Sequence, residues 1–135
     1  MKSFQILILT LFTFCFSCEE PYMVQCDECT KEDPVEATVT IRLSDNIDAV
    51  NTDIIVYEGD LDDDILFYTG KGYNHLKLTL PLNKKFTFVA VYSLQKGTYK
   101  AVDTATPKVR FEKDQCENPC YYVYDNSVNL ELRYQ

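Results

Sequence analysis

The stretch Val35-Glu36-Ala37-Thr38-Val39-Thr40-Ile41-Arg42-Leu43 carries an apolar side chain at every second position. Successive side chains of an extended chain point to opposite faces, so strict alternation over this length describes a strand with one buried face. A helix would need apolar residues three and four apart. The pattern predicts Val35, Ala37, Val39, Ile41 and Leu43 inside, with Glu36, Thr38, Thr40 and Arg42 in solvent. Further on, Phe86–Leu94 (FTFVAVYSL) is apolar on both faces, which predicts a strand flanked on either side. Leu76, Leu78 and Leu80 alternate with Lys77 and Thr79, and Pro81 then ends the ladder or marks an edge. Shorter strands are expected at 53–57, 65–69, 98–102, 108–113, 121–124 and 128–134, the last with Val128, Leu130, Leu132 and Tyr134 inward. Turn-rich segments separate them, among them 44–51 (SDNIDAVN), Glu58-Gly59-Asp60 and Gly70-Lys71-Gly72. No window carries a helical apolar stripe.

Short strands at this spacing predict an all-β protein, an antiparallel β-sandwich of about 7–9 strands, with a closed barrel as the rival. The 135 residues suffice for one domain, and 46% hydrophobic against 25% charged residues is the balance of a chain that buries a core. The stretch Leu80-Pro81-Leu82-Asn83-Lys84-Lys85-Phe86-Thr87-Phe88-Val89-Ala90-Val91-Tyr92, with the strands at 35–43 and 53–57, resembles transthyretin-like carboxypeptidase-regulatory domains. That resemblance implies an immunoglobulin-like (transthyretin-like) sandwich and carries over no binding residue, since a fold does not define a function.

The N-terminus predicts an address outside the cytosol. Met1-Lys2 is followed by the apolar run 4–16 (FQILILTLFTFCF). At ~1.5 Å per residue the run spans roughly 20 Å, short of the ~30 Å that a membrane-spanning helix must cross. Ser17-Cys18 at its end resembles the lipobox of bacterial lipoproteins, in which the cysteine is alkylated by diacylglycerol and the chain is cut just before it. The resemblance implies a signal peptide over 1–17 and a Cys18 carrying fatty-acyl chains such as palmitate. It departs from the family at Cys15, where an aliphatic residue is usual. Domain boundaries follow: 1–17 signal peptide, 18–34 lipidated tether with the first cysteine pair, 35–135 β-sandwich. Several acyl chains together give a stable membrane anchor. Glu19-Glu20 resembles the acidic signals that send Bacteroidetes lipoproteins to the cell surface, which implies an outer-membrane protein at the surface, with the periplasmic face as alternative.

Four cysteines remain in the expected mature chain: Cys26 and Cys29 (C-x-x-C), and Cys116 and Cys120 (C-x-x-x-C). In a reducing compartment such pairs read as a zinc site. In an oxidising one an even count reads as two disulfides, and three pairings are open. Bonding of the first pair to the second is preferred; each bridge would then close a loop of roughly 90 residues, on the order of 4 kcal/mol in the chain-entropy model. Asp27-Glu28 would raise a thiolate pKa, the wrong direction for a redox nucleophile.

Composition narrows function chiefly by exclusion. The formal charge is −8, and removal of Lys2 with the signal peptide leaves 12 basic against 21 acidic residues, or −9. Nucleic acid is an unsuitable partner for such a surface. His75 is the one histidine, no G-x-S-x-G motif is present, and no enzyme is expected. The acidic loop Gly59-Asp60-Leu61-Asp62-Asp63-Asp64 offers Asp60, Asp62 and Asp64 as candidate Ca²⁺ ligands, although it lacks the EF-hand pattern, and a solvated acidic turn is the preferred explanation. Tyr121, Tyr122 and Tyr124 are candidate binding residues, because tyrosine joins a flat apolar face to a hydroxyl; sheet propensity is the competing explanation. Two functions stand: a lipid-anchored, non-enzymatic interaction module docking onto an outer-membrane protein or complex, or a ligand-binding lipoprotein recognising glycan or Ca²⁺.

Overall fold

The computed structural model describes residues 23–45 and 52–133. Cys18, the signal-peptide segment and Tyr134 lie outside the described residues. Nine strands succeed one another: β1 (Glu36–Arg42), β2 (Thr52–Glu58), β3 (Ile65–Gly72), β4 (His75–Pro81), β5 (Phe86–Leu94), β6 (Gly97–Ala105), β7 (Lys108–Glu112), β8 (Cys120–Tyr124) and β9 (Ser127–Asn129). Among the described residues one 3₁₀ turn, Leu61–Asp63, interrupts them. A three-stranded sheet in the order β4-β1-β9 packs on a four-stranded sheet in the order β3-β2-β5-β6, and β7-β8 form a separate hairpin. The protein is an all-β sandwich.

Alternation decides which side chains meet. Val39 and Ile41 from β1, Leu80 from β4 and Val128 from β9 are fully buried on one inner face, against Ile54, Val56, Phe86, Phe88 and Ala90 on the other. Side chains of this kind gain about 1.5–3 kcal/mol each on full burial, which makes this seam the main stabilising term. The prediction that β5 is flanked on both sides holds: it pairs antiparallel with β2 and with β6. Its outward Thr87 is also buried and donates its hydroxyl to Gly59 O at 2.7 Å. Pro81 closes β4 on the edge of its sheet, opposite Glu36, where its missing N–H costs no ladder bond.

Three expectations need correction. Gly70-Lys71-Gly72 is not a turn: β3 runs through it, paired with Ile54, Asp53 and Thr52, and the chain reverses instead at Asn74, whose φ is positive. Val35 is 82% exposed, because the ladder starts at Glu36 opposite Pro81 and leaves no partner surface beyond it. The last strand is shorter than the alternation implied and runs parallel to β1, unlike the remaining ladders, pairing only Ser127, Val128 and Asn129. Leu130 stays fully buried beyond it, its N–H donating to Arg42 O, while Leu132 is half-buried and its N–H donates to Ser44 Oγ. Burial therefore outlasts the ladder, since side-chain hydroxyls and loop carbonyls replace strand partners.

Turns follow the residue chemistry. Asp64, Asn74, Asn83 and Asp125 all have positive φ, a region that Asn and Asp tolerate better than most residues. Gly72 is buried against Leu43: an added Cβ would lie 2.8 Å from Leu43 Cδ1.

Tyr92 is the largest fully buried side chain, and its hydroxyl joins the two layers. It donates to Leu130 O at 2.6 Å and accepts from Ser44 N at 3.1 Å. Both groups are left without that partner if the oxygen is removed. Tyr92→Phe is expected to cost about 1–3 kcal/mol in urea unfolding while leaving the sheet spectrum unchanged. A loss below the error of the fit would show that water replaces the hydroxyl.

Candidate interaction surface

The hairpin β7-β8 is pinned by the segment that precedes the sandwich. Its register sets Phe111 opposite Tyr121 and Glu112 opposite Cys120. Thr30 lies beside the outer strand and exchanges two backbone bonds with Tyr121, at 2.9 and 2.8 Å, so it acts as a one-residue third strand. Next to that bridge lie two disulfides, Cys26–Cys116 and Cys29–Cys120. The first cysteine pair is thus bonded to the second. Val24 N–H adds a bond to Gln115 Oε1 at 2.9 Å.

Glu112 shapes the loop that carries Cys116. Its Oε1 accepts from Asp114 N at 2.9 Å and from Gln115 N at 3.3 Å. The Asp114 N–H is the main cause that holds the Glu112 carboxyl below its ordinary value. The ionised carboxylate favours this turn at neutral pH, and the effect is lost as pH falls through the lowered value.

The three candidate tyrosines do not form one platform. Strand alternation turns Tyr122 and Tyr124 to one face and Tyr121 to the other. Tyr121 packs on Phe111 with ring centroids 4.9 Å apart, and Tyr124 lies beneath the Arg110 guanidinium at 5.5 Å. All three are half-buried. Their apolar faces are partly used inside the hairpin.

The acidic loop is a capped turn. Asp63 Oδ2 accepts from Asp60 N at 2.9 Å, Asp60 is ion-paired with Lys85, and Asp64 takes the left-handed conformation that turns the chain into β3. Among the described residues, the group of three or more His, Cys, Asp or Glu whose ligand atoms lie within 4.8 Å of one another is Cys29, Cys116 and Cys120; Asp60, Asp62 and Asp64 do not converge in that way. His75 is exposed at the start of the edge strand β4.

A surface that alternation did not reveal lies directly after the acidic loop. Ile65, Leu66 and Phe67 begin β3 and are 54%, 60% and 40% exposed. The register shifts here, with Val56 opposite Tyr68 and Tyr57 opposite Leu66, so Phe67 has no opposite number and its ring leans on Phe86 at 5.0 Å. β3 is an edge of the four-stranded sheet, so one side of its backbone is unpaired in that sheet. Edges are commonly protected by charge or proline: β4 carries Lys77 and Pro81, and β6 carries Lys100. The first half of β3 has neither, and its lysine, Lys71, sits at the far end, ion-paired with Asp53 at 2.9 Å. The sequence signal was the run Ile65-Leu66-Phe67-Tyr68, apolar without alternation.

Comparisons with protein-family models, with curated proteins and with solved structures gave no match.

The paired bridges make a quantitative prediction. Either one alone closes a loop of about 90 residues, worth roughly 4.6 kcal/mol in the chain-entropy model, but the second then closes a ring of only about nine residues, worth roughly 2.6 kcal/mol. Removing one pair, Cys29→Ala with Cys120→Ala or Cys26→Ala with Cys116→Ala, is expected to cost about 2.6 kcal/mol, and removing both about 7. Denaturant unfolding of the three variants checks this; equal, additive losses of about 4.6 would contradict it.

Proposed function

We propose that the protein is a lipid-anchored, non-enzymatic module of the cell envelope, held in the outer membrane through Cys18 with its sandwich at the cell surface, and that it docks onto an outer-membrane protein. The observation that carries this reading is the exposed apolar edge Ile65-Leu66-Phe67 beside a cluster of carboxylates. An edge strand recruits an extended segment by continuing the sheet: main-chain bonds give affinity and alternate side chains give selectivity. Asp62, Asp63 and Asp64 at one end favour a segment whose apolar residues are flanked by Lys or Arg, and this charge acts mostly on the rate of encounter. The four-plus-three sheet arrangement supports a likeness to transthyretin-like sandwiches. The staple supports a short tether, because Cys26 fastened to the hairpin leaves at most residues 19–25 to span the distance to the anchor. At ~3.3 Å per residue that is a reach of roughly 23 Å, against about 50 Å for the whole of 19–34.

A photo-cross-linking residue placed at Leu66 in the lipidated chain is expected to capture one membrane protein in stoichiometric amount. Ile65→Lys should abolish the capture, and Asp62→Asn with Asp64→Asn should slow it most at low salt. The same probe at Thr98, on the opposite edge of the sheet, should capture nothing. Capture from Thr98 but not Leu66, or no dependence on Ile65, would refute docking at β3.

A further inference from the structure

The four cysteines can do more than form two bridges. Sγ atoms of Cys29, Cys116 and Cys120 lie within 4.8 Å of one another, and the fourth sulfur, of Cys26, is bonded to that of Cys116. The fourth sulfur thus lies beside one member of that group. The two bonds run between the loops rather than within them, so each loop brings its own pair to the same place. A tetrahedral zinc site asks for this arrangement: two loops, each with cysteines a few residues apart, converging on one ion. With Zn–S near 2.3 Å the sulfur-to-sulfur edge of such a site is about 3.8 Å. The sulfurs of Cys29, Cys116 and Cys120 lie within 4.8 Å of one another, and that of Cys26, outside this group, must close in with them. The bonded ones must separate to the edge length of the site, a change that side-chain rotation supplies while the Cα atoms stand 5.6 and 5.5 Å apart. The cluster lines a cleft that opens to solvent beside Lys31, Glu117 and Asn118, which provides a route of entry.

We propose that the Cys26, Cys29, Cys116 and Cys120 cluster is a two-state site: a pair of disulfides when oxidised, and a four-thiolate site for one soft divalent cation of the zinc class when reduced. The chemistry balances. Each disulfide accepts two electrons and two protons from a small dithiol, which becomes a cyclic disulfide, and four thiols result. Binding of one cation then displaces four protons and forms four metal–sulfur bonds. The ion ties residues 26–29 to residues 116–120, as the bridges do, so the hairpin keeps its place in either state. The ligand chemistry follows from the sulfurs, since thiolates select zinc over hard cations such as calcium.

The test uses the full chain reduced with a dithiol and freed of it by gel filtration under argon. Co²⁺ titrated into this sample is expected to saturate at one equivalent with the intense visible bands of a tetrahedral thiolate site, and Zn²⁺ should bleach them at one equivalent. Cys29→Ser should weaken binding at least tenfold, His75→Ala should leave it unchanged, and the oxidised chain should give no bands. Added Zn²⁺ should also move the unfolding midpoint of the reduced chain upward. Absence of the bands from the reduced unmodified chain, saturation at a ratio other than one, or equal binding by Cys29→Ser would overturn the proposal. Because this readout involves neither the membrane nor the β3 edge, its failure would leave the docking reading intact.

Discussion

The covalent joining of residues 26–29 to residues 116–120 is the constraint on which the outlying parts of the molecule depend. The sandwich has an apolar seam of its own, but the β7-β8 hairpin pairs with neither sheet. Its rings, Phe111 on Tyr121, cover too little area to hold a two-stranded ribbon in water. Thr30 adds two backbone bonds, and the sulfur bridges next to it convert a marginal hairpin into a fixed projection. The same bridges fix where the tether leaves the body. One feature thereby sets local stability and the reach of the anchor proposed at Cys18.

The two ends of the sandwich are closed differently. At the Tyr92 end, a phenol hydroxyl buried between the layers satisfies Leu130 O and Ser44 N, so the irregular C-terminal segment stays packed without a ladder. At the β3 end, closure is incomplete: the register shifts at Phe67, and Ile65 and Leu66 face solvent. An apolar edge of this kind is a hazard for self-association unless it is covered or electrostatically shielded. The neighbouring Asp62, Asp63 and Asp64 repel other copies of this acidic chain and attract a basic segment. In the proposed docking, protection and recognition share one set of carboxylates.

Much of the fold was legible because alternation is a direct record of which face is buried. Val39, Ile41 and Leu80 sit where the period of two puts them, and the doubly apolar β5 lies inside its sheet. What alternation cannot record is where a ladder stops. Val35 continues the pattern yet has nothing to face, and Leu130 stays buried after strand pairing has ended. The parallel pairing of β1 with β9 was also illegible, since strand order is set by loop paths over many residues. The tyrosines after Cys120 were visible as a cluster, but the pleat divides them between two faces. The exposed β3 edge was hidden because a short apolar run reads equally as a buried strand, and the bulge that exposes it depends on its partner β2. The cysteine count announced a staple, whereas its connectivity needed the register of β8 against Thr30.

Connectivity is where this account is most directly tested. Glu28 lies between the cysteines of the first pair and Glu117 between those of the second, so a glutamate-specific protease separates all four without reduction. Mass analysis of that digest, taken from the natively expressed chain, is predicted to show Cys26 peptides linked to Cys116 and Cys29 peptides linked to Cys120. Peptides joining Cys26 to Cys29, or Cys116 to Cys120, would contradict it, because bonds within each loop do not join residues 26–29 to residues 116–120.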